Sequence, residues 1–241
     1  MIILLTDFGT SEYVGVMKGV ILNHAPHTTI VDLYHGIQPQ CIKQGAWLLY
    51  KNYSFFLTGS IFLCIVDPGV GTKRHAVAIQ TKNYFFVGPD NGLLYPAAQQ
   101  DGIQNVVALS TAGASKTFHG RDVFAKAAAL LEKGIPLQQL GKTTLLKEKL
   151  YFHVHDREGE VVHIDRFGNI ITTLPSLHTK KYTVVVKNKQ LVLPYYNTYQ
   201  EAGIGELFLI EGSGKTLEIS MQGKAAVAKL KLKIGEKIEV H

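Results

Sequence analysis

At 241 residues, with 46% hydrophobic and 18% charged side chains, the chain has the composition of a globular protein with a substantial core, in one large domain or two modest ones. The net charge of +6 comes from 25 Lys and Arg that are scattered, dense only around Lys142–Lys149 and Lys224–Lys237, with no RNP-like aromatic motif, zinc spacing or recognition-helix pattern, so no nucleic-acid partner is expected. Two cysteines without partners at metal-site spacing, no basic leader with a cleavage site, and no apolar run near the ~20 residues of a membrane helix point to a reducing, cytoplasmic setting away from membranes.

In chain order, Ile2–Leu5 reads as a short buried strand, Tyr13–Asn23 as an amphipathic helix, Thr29–Leu33 as a strand and Gln40–Asn52 as a helix. Ile61–Val66 is another buried strand. His75–Gln80, Tyr84–Val87 and Asn105–Leu109 read as further strands, and Arg121–Lys133 as an alanine-rich helix stopped by Gly134. The alternation predicts a Rossmann-like α/β layered domain with a parallel sheet. After the polar, turn-rich stretch Leu137–Glu148, helical periodicity disappears. Short strands are expected at Glu160–Ile164, Ile170–Thr173, Tyr182–Val186, Gln190–Leu193, Leu207–Ile210, Leu217–Ile219, Ala225–Leu232 and Lys237–Val240, which predicts a small β-barrel or sandwich. The expected domains are residues 1–150 and 151–241.

The most informative segment is Val66-Asp67-Pro68-Gly69-Val70-Gly71-Thr72-Lys73-Arg74, where a buried strand releases a carboxylate into a glycine-rich turn with a guanidinium close behind. Thr6-Asp7-Phe8-Gly9-Thr10 follows the first strand, where doubly wound folds bind nucleosides. Asp7 could accept both hydroxyls of a ribose diol, or could serve only as a helix N-cap or Asx-turn. Thr117-Phe118-His119-Gly120-Arg121-Asp122 offers a loop histidine beside an aromatic ring. It is equally a helix-initiating turn with His119 half exposed and Asp122 facing the helix dipole.

In the β-rich half, Asp165-Arg166-Phe167-Gly168-Asn169 combines a carboxylate, an aromatic plate and an amide, a set able to hold an amine and stack a base, or simply a hairpin turn. Gly212-Ser213-Gly214 is a turn whose hydroxyl and N–H groups could cradle an anion, and turn chemistry alone explains it at least as well. Gly88-Pro89-Asp90-Asn91-Gly92 is a turn expected to shape a pocket wall. His153 and His155 would share a strand face but lack a third ligand, so no metal is expected.

Taken in order over about residues 2 to 228, these motifs resemble the S-adenosylmethionine hydroxide adenosyltransferases, adenosine-forming S-adenosylmethionine hydrolases related to fluorinases and chlorinases. The resemblance implies an N-terminal α/β domain, a C-terminal β-barrel and a homotrimer with sites between subunits. It implies that Asp67, Arg74 and His119 are the catalytic set that positions and activates water, and that Asp7 binds the ribose diol. Phe118 joins the substrate-binding set. Asp165, Phe167 and Asn169 fall on contacts to the methionine amine and adenine, and Ser213 on the methionine-carboxylate turn, where Gly214 and Lys215 depart from the family pattern. The halogenating relatives carry Tyr and Thr where this chain has Asp67 and Val70, and fluorinases have a halide-contacting Ser where Gly120 stands.

The expected reaction is hydrolysis of S-adenosylmethionine to adenosine and methionine, with no cofactor. A sulfonium leaves as a neutral thioether, so catalysis reduces to presenting an oxygen nucleophile in line with the C5'–S bond. Asp67 and His119 would orient water and take its proton, while Arg74 keeps Asp67 ionised. The alternatives are a halide-dependent, chlorinase-like enzyme cleaving the same substrate, and a non-catalytic protein that binds an adenosyl ligand. An OB-like use of the barrel on nucleic acid is the more distant reading.

Overall fold

The computed structural model describes residues 1–177, 179–187 and 189–241, which form two compact units, Met1–Leu150 and Tyr151–His241. The first unit contains β1 (Ile2–Thr6), α1 (Tyr13–His24), β2 (Ile30–Tyr34), α2 (Ile42–Asn52), β3 (Ile61–Ile65), β4 (Ala76–Thr81), β5 (Phe85–Pro89), α3 (Tyr95–Asp101), β6 (Ile103–Leu109), α4 (Ala125–Glu132) and β7 (Gly141–Thr143). The strands expected in this half form with slightly displaced ends. α3, opened by Leu94 with a proline in its first turn, and β7, inside the polar stretch, escaped the periodicity argument.

The seven strands lie in the order β2-β1-β3-β5-β4-β6-β7. Only β2, β1, β3 and β5 run parallel; β4 pairs antiparallel with both β5 and β6, and β7 is antiparallel to β6. The expectation of a parallel sheet is therefore corrected to a mixed one. The cause is the tight return between β4 and β5, closed by the Thr81 N–H to the Tyr84 carbonyl at 2.9 Å, which is far too short for a parallel crossover.

Alternation along the central strands directs two apolar sets to opposite faces. Ile2, Leu4, Leu63 and Ile65 pack with Met17 and Ile21 of α1 and Ala128 of α4. Across the sheet, Phe62 stacks on Phe86 at 5.2 Å, with Tyr53 and Tyr84 edge-on to that pair. The helix expected from Arg121 begins instead with a π-helical turn over Gly120–Phe124 and becomes regular only in α4. Gly134, at φ +81°, ends it as expected.

The second unit contains β8 (Val154–His155), β9 (Glu158–Ile164), β10 (Ile170–Thr172), β11 (Lys181–Val186), β12 (Lys189–Pro194), β13 (Leu207–Glu211), β14 (Leu217–Met221), α5 (Ala226–Leu230) and β15 (Lys237–Val240). The strands form an antiparallel sheet in the order β12-β11-β15-β9-β10-β14-β13, with β8 on β9. Tyr195, just after β12, bridges Leu209 of β13, so the two ends of the sheet meet and the barrel is nearly closed around Val161, Ile170, Tyr182, Val184 and Ile219. The strand expected over Ala225–Leu232 is absent: α5 occupies it. Its Ala-Val-Ala-Lys-Leu text alternates like a strand, but three of those residue types are strong helix formers, and the turn stops at Lys231 with φ +51°. Among the described residues no helix is long and apolar enough to cross a membrane.

Candidate functional site

β1 and β3 are parallel neighbours in register to their last pair, Thr6 opposite Ile65. Both chains therefore leave the sheet at the same edge, and the first carboxylate after each strand, Asp7 and Asp67, opens into one cleft of about 590 Å³. Phe8, Tyr13, Phe118 and His119 also line it. The rings of Phe8, Tyr13 and Phe118 meet edge to face at 5.0–6.1 Å and supply an apolar wall.

Asp67 is nearly buried and held by a bidentate ion pair: Arg74 donates Nε–H to Oδ1 at 2.8 Å and Nη2–H to Oδ2. Thr72 shapes the intervening turn by donating its hydroxyl to the Gly69 carbonyl at 2.7 Å. Asn91 donates Nδ2–H to the Val66 carbonyl at 2.8 Å, so the Gly88–Gly92 turn braces the strand end that carries Asp67 rather than lining the cleft. Gly71, at φ +76°, lets the turn press on the Lys116 carbonyl, where a Cβ would overlap.

That contact brings the 115–119 segment to Asp67. Asp122 accepts the Ser115 N–H at 2.9 Å and Arg121 Nε–H at 2.6 Å, and the arginine bond chiefly holds its carboxyl down to about 2. His119 caps the π-helical turn and is 5% exposed, not half exposed. Its Nδ1 lies 3.0 Å from Arg74 Nη2. Burial, then the Arg74 charge, lowers its pKa below 6.5 against the pull of Asp67 and Asp122. Arg74 itself stands behind Asp67 and His119 and is not part of the cleft wall.

Asp7 is not a helix cap. Glu12 occupies the N-cap of α1 without a side-chain bond, while Asp7 Oδ2 accepts the Gln40 N–H at 2.8 Å across the cleft mouth. Its other oxygen has no hydrogen-bond partner among the described residues.

In the second unit, Asp165, Phe167, Asn169 and Tyr199 line a separate hollow of about 620 Å³. Asp165 organises its own turn: Oδ1 accepts the N–H groups of Phe167 and Asn169 at 2.9 and 2.8 Å, and Oδ2 accepts Asn169 Nδ2–H at 2.9 Å. Three of about four lone-pair positions are used, leaving one for a ligand. Phe167 is 76% exposed at the rim.

Ser213 is exposed in the β13–β14 turn and is not among the residues around that hollow. The space where a Gly212 Cβ would stand is filled by the Glu218 carboxylate, which accepts the Tyr199 hydroxyl at 3.1 Å. Burial raises the Glu218 carboxyl, and it pushes the Tyr199 phenol up to about 12 with help from Glu218. This carboxylate beside the expected anion-binding turn was missed, since nothing in the local text separates Glu218 from an ordinary strand residue. His153 pairs with Glu158 at 2.6 Å and His155 lies beside Asp156; no group of metal-ligating side chains forms among the described residues.

Two family models match the chain: the SAM hydroxide adenosyltransferase N-terminal domain over residues 2–141 and the C-terminal domain over residues 159–239. A Thermus thermophilus (R)-S-adenosyl-L-methionine hydrolase is 36% identical over 248 residues, covering 96% of this chain and 95% of the relative. A Nocardia brasiliensis fluorinase is 25% identical over 288 residues, covering 100% and 96%. The crystal structure of an uncharacterized conserved protein from Thermotoga maritima superposes with a TM-score of 0.93 at 34% identity, covering all of both chains.

Proposed function

We propose that this chain, which belongs to the SAM hydroxide adenosyltransferase family, hydrolyses S-adenosyl-L-methionine to adenosine and L-methionine. The observation that carries the reading is the Asp67–Arg74–His119 contact set, whose Asp67 and His119 line a cleft that also holds Asp7.

In the reaction, a lone pair of water forms the C5'–O bond while the C5'–S pair returns to sulfur. The sulfonium becomes a neutral thioether, and one proton leaves. Asp67 takes that proton. Arg74, behind it, is a positioning residue that holds both carboxylate oxygens and aims them. An arginine only donates, so the Arg74 contact makes His119 Nδ1 an acceptor and leaves the neutral ring with its proton on Nε2. His119 then directs an N–H at the water oxygen rather than sharing the base role. Neither redox nor group-carrier chemistry enters, so no cofactor is required.

Asp7 and Asp67 at the ends of adjacent parallel strands support reading the first unit as a Rossmann-like layer holding the adenosyl group. Asp7 takes the ribose hydroxyls and Phe118 covers the sugar. Phe167 stacks on adenine, Asn169 reads its edge, Asp165 offers its remaining lone pair to the methionine amine, and the Ser213 turn meets the carboxylate. The working form is a cytoplasmic homotrimer that completes its sites between subunits, which light scattering of the purified protein tests.

The deciding experiment is chromatography of products from S-adenosylmethionine in halide-free buffer, run with both sulfonium epimers because the Thermus relative's name specifies the (R) form. Adenosine with methionine supports the reading; S-adenosylhomocysteine overturns it. The halide-dependent alternative predicts 5'-halo-adenosine when chloride or fluoride is added. Asp67 and Val70 at the cleft wall favour water.

A further inference from the structure

We propose that His35 is the positioning residue that holds Asp7 for the ribose, acting through Thr6 and Gly9. The proposal rests on reading Asp7 as the ribose ligand. Thr6 is fully buried at the end of β1, so it does not touch substrate. Its hydroxyl oxygen accepts the Phe8 N–H at 3.2 Å and lies 2.8 Å from His35 Nδ1. On the far side of the same turn, the Gly9 N–H donates to the His35 carbonyl at 2.7 Å, with Gly9 at φ +60°. One residue therefore grips the loop before and after Asp7 and Phe8.

His35 is itself anchored. Nε2 lies 3.1 Å from Asp32 Oδ1, a close contact bent off the hydrogen-bond line, and Asp32 Oδ2 accepts Lys18 Nζ–H at 2.6 Å. Of the two tautomers, a carboxylate on the Nε2 side selects the one with its proton there, which leaves Nδ1 to accept the Thr6 hydroxyl proton. Thr6 then donates to His35 and accepts from Phe8, and both capacities of a buried hydroxyl are used. Without the imidazole, the hydroxyl loses its acceptor inside the core, and the turn that aims Asp7 loses one of its two side supports. Asp7 Oδ2 is already committed to Gln40, so a small rotation of the loop removes the free oxygen from a bound diol.

The test measures binding of adenosine and 2',3'-dideoxyadenosine to the full chain by calorimetry. A charged acceptor makes the hydroxyls worth about tenfold or more in affinity to the wild-type protein. In His35→Ala and in Thr6→Val, which keeps the volume and removes the hydroxyl, that ratio is expected to fall to within about threefold. The double variant should fall no further. His35→Asn, whose Oδ1 can replace Nδ1 as acceptor, should restore most of it. A general loosening of the fold would weaken both ligands and leave their ratio intact. If either single variant keeps the full ratio while Asp7→Asn abolishes it, the His35 proposal is overturned and the ribose reading stands. If Asp7→Asn keeps the ratio, the ribose reading fails and takes the proposal with it.

Discussion

Nη2 of Arg74 lies 3.0 Å from Nδ1 of His119, across 45 residues of sequence. The same guanidinium grips both oxygens of Asp67, so one arginine contacts both the carboxylate and the imidazole that line the cleft. A cationic His119 would place a second donor against Arg74. Burial and the Arg74 charge both favour the neutral ring.

Nuclear magnetic resonance of ring-labelled protein should therefore find His119 as the Nε2–H tautomer, titrating below 6.5, and Arg74→Gln should raise that pKa. Because the folded pKa is depressed, the unfolded chain takes up the proton first. This group's contribution to stability is present above pH 6.5 and is lost as pH falls towards the folded pKa. His119→Gln should flatten that part of the stability profile. A folded pKa at or above 6.5 would contradict the assignment.

Asp67→Asn preserves shape and removes the proposed base. Turnover should fall by about 10²- to 10⁴-fold with KM little changed. The largely buried Arg74 also loses its counter-charge, a change of up to about 3–5 kcal/mol, the cost for a fully buried pair, so denaturant melts must accompany the kinetics. Unchanged turnover in a folded variant would remove Asp67 from the mechanism.

Gly71 and Gly113 share φ +76°, but only Gly71 faces an obstacle, the Lys116 carbonyl; nothing lies within 4 Å of a Cβ at Gly113. Gly113→Ala should cost about 1–2 kcal/mol for the left-handed backbone alone. Gly71→Ala should cost more and also lower turnover, since it pushes the Asp67 turn away from the segment that carries His119. Equal effects on stability and turnover would show that this contact does not align the site.

Phe167 is 76% exposed, so Phe167→Ala should leave stability within about 0.5 kcal/mol. If the ring stacks on adenine, KM should rise by an amount corresponding to about 1–3 kcal/mol. An unchanged KM would assign Phe167 to the turn alone.

The strand ends were legible because their signals are local. Ile2–Leu5 and Ile61–Val66 are apolar runs, and the carboxylate after each must leave the sheet with the chain, so Asp7 and Asp67 could be placed at strand ends from text alone. The ordered motifs also carried the family, since five segments over most of the chain constrain more than any one. Ala225–Leu232 was misread because a short alternating run has two periods available, and packing chose the helix. The mixed sheet follows from the short β4–β5 return, but the π-helical turn that buries His119, the Arg74–His119 contact and the His35 grip on the Asp7 loop were decided by tertiary structure. Each depends on which side chains meet across 29 residues or more, or on how a backbone relaxes against its neighbours. Local propensity determines which groups leave the sheet and where; only packing determines which of them touch.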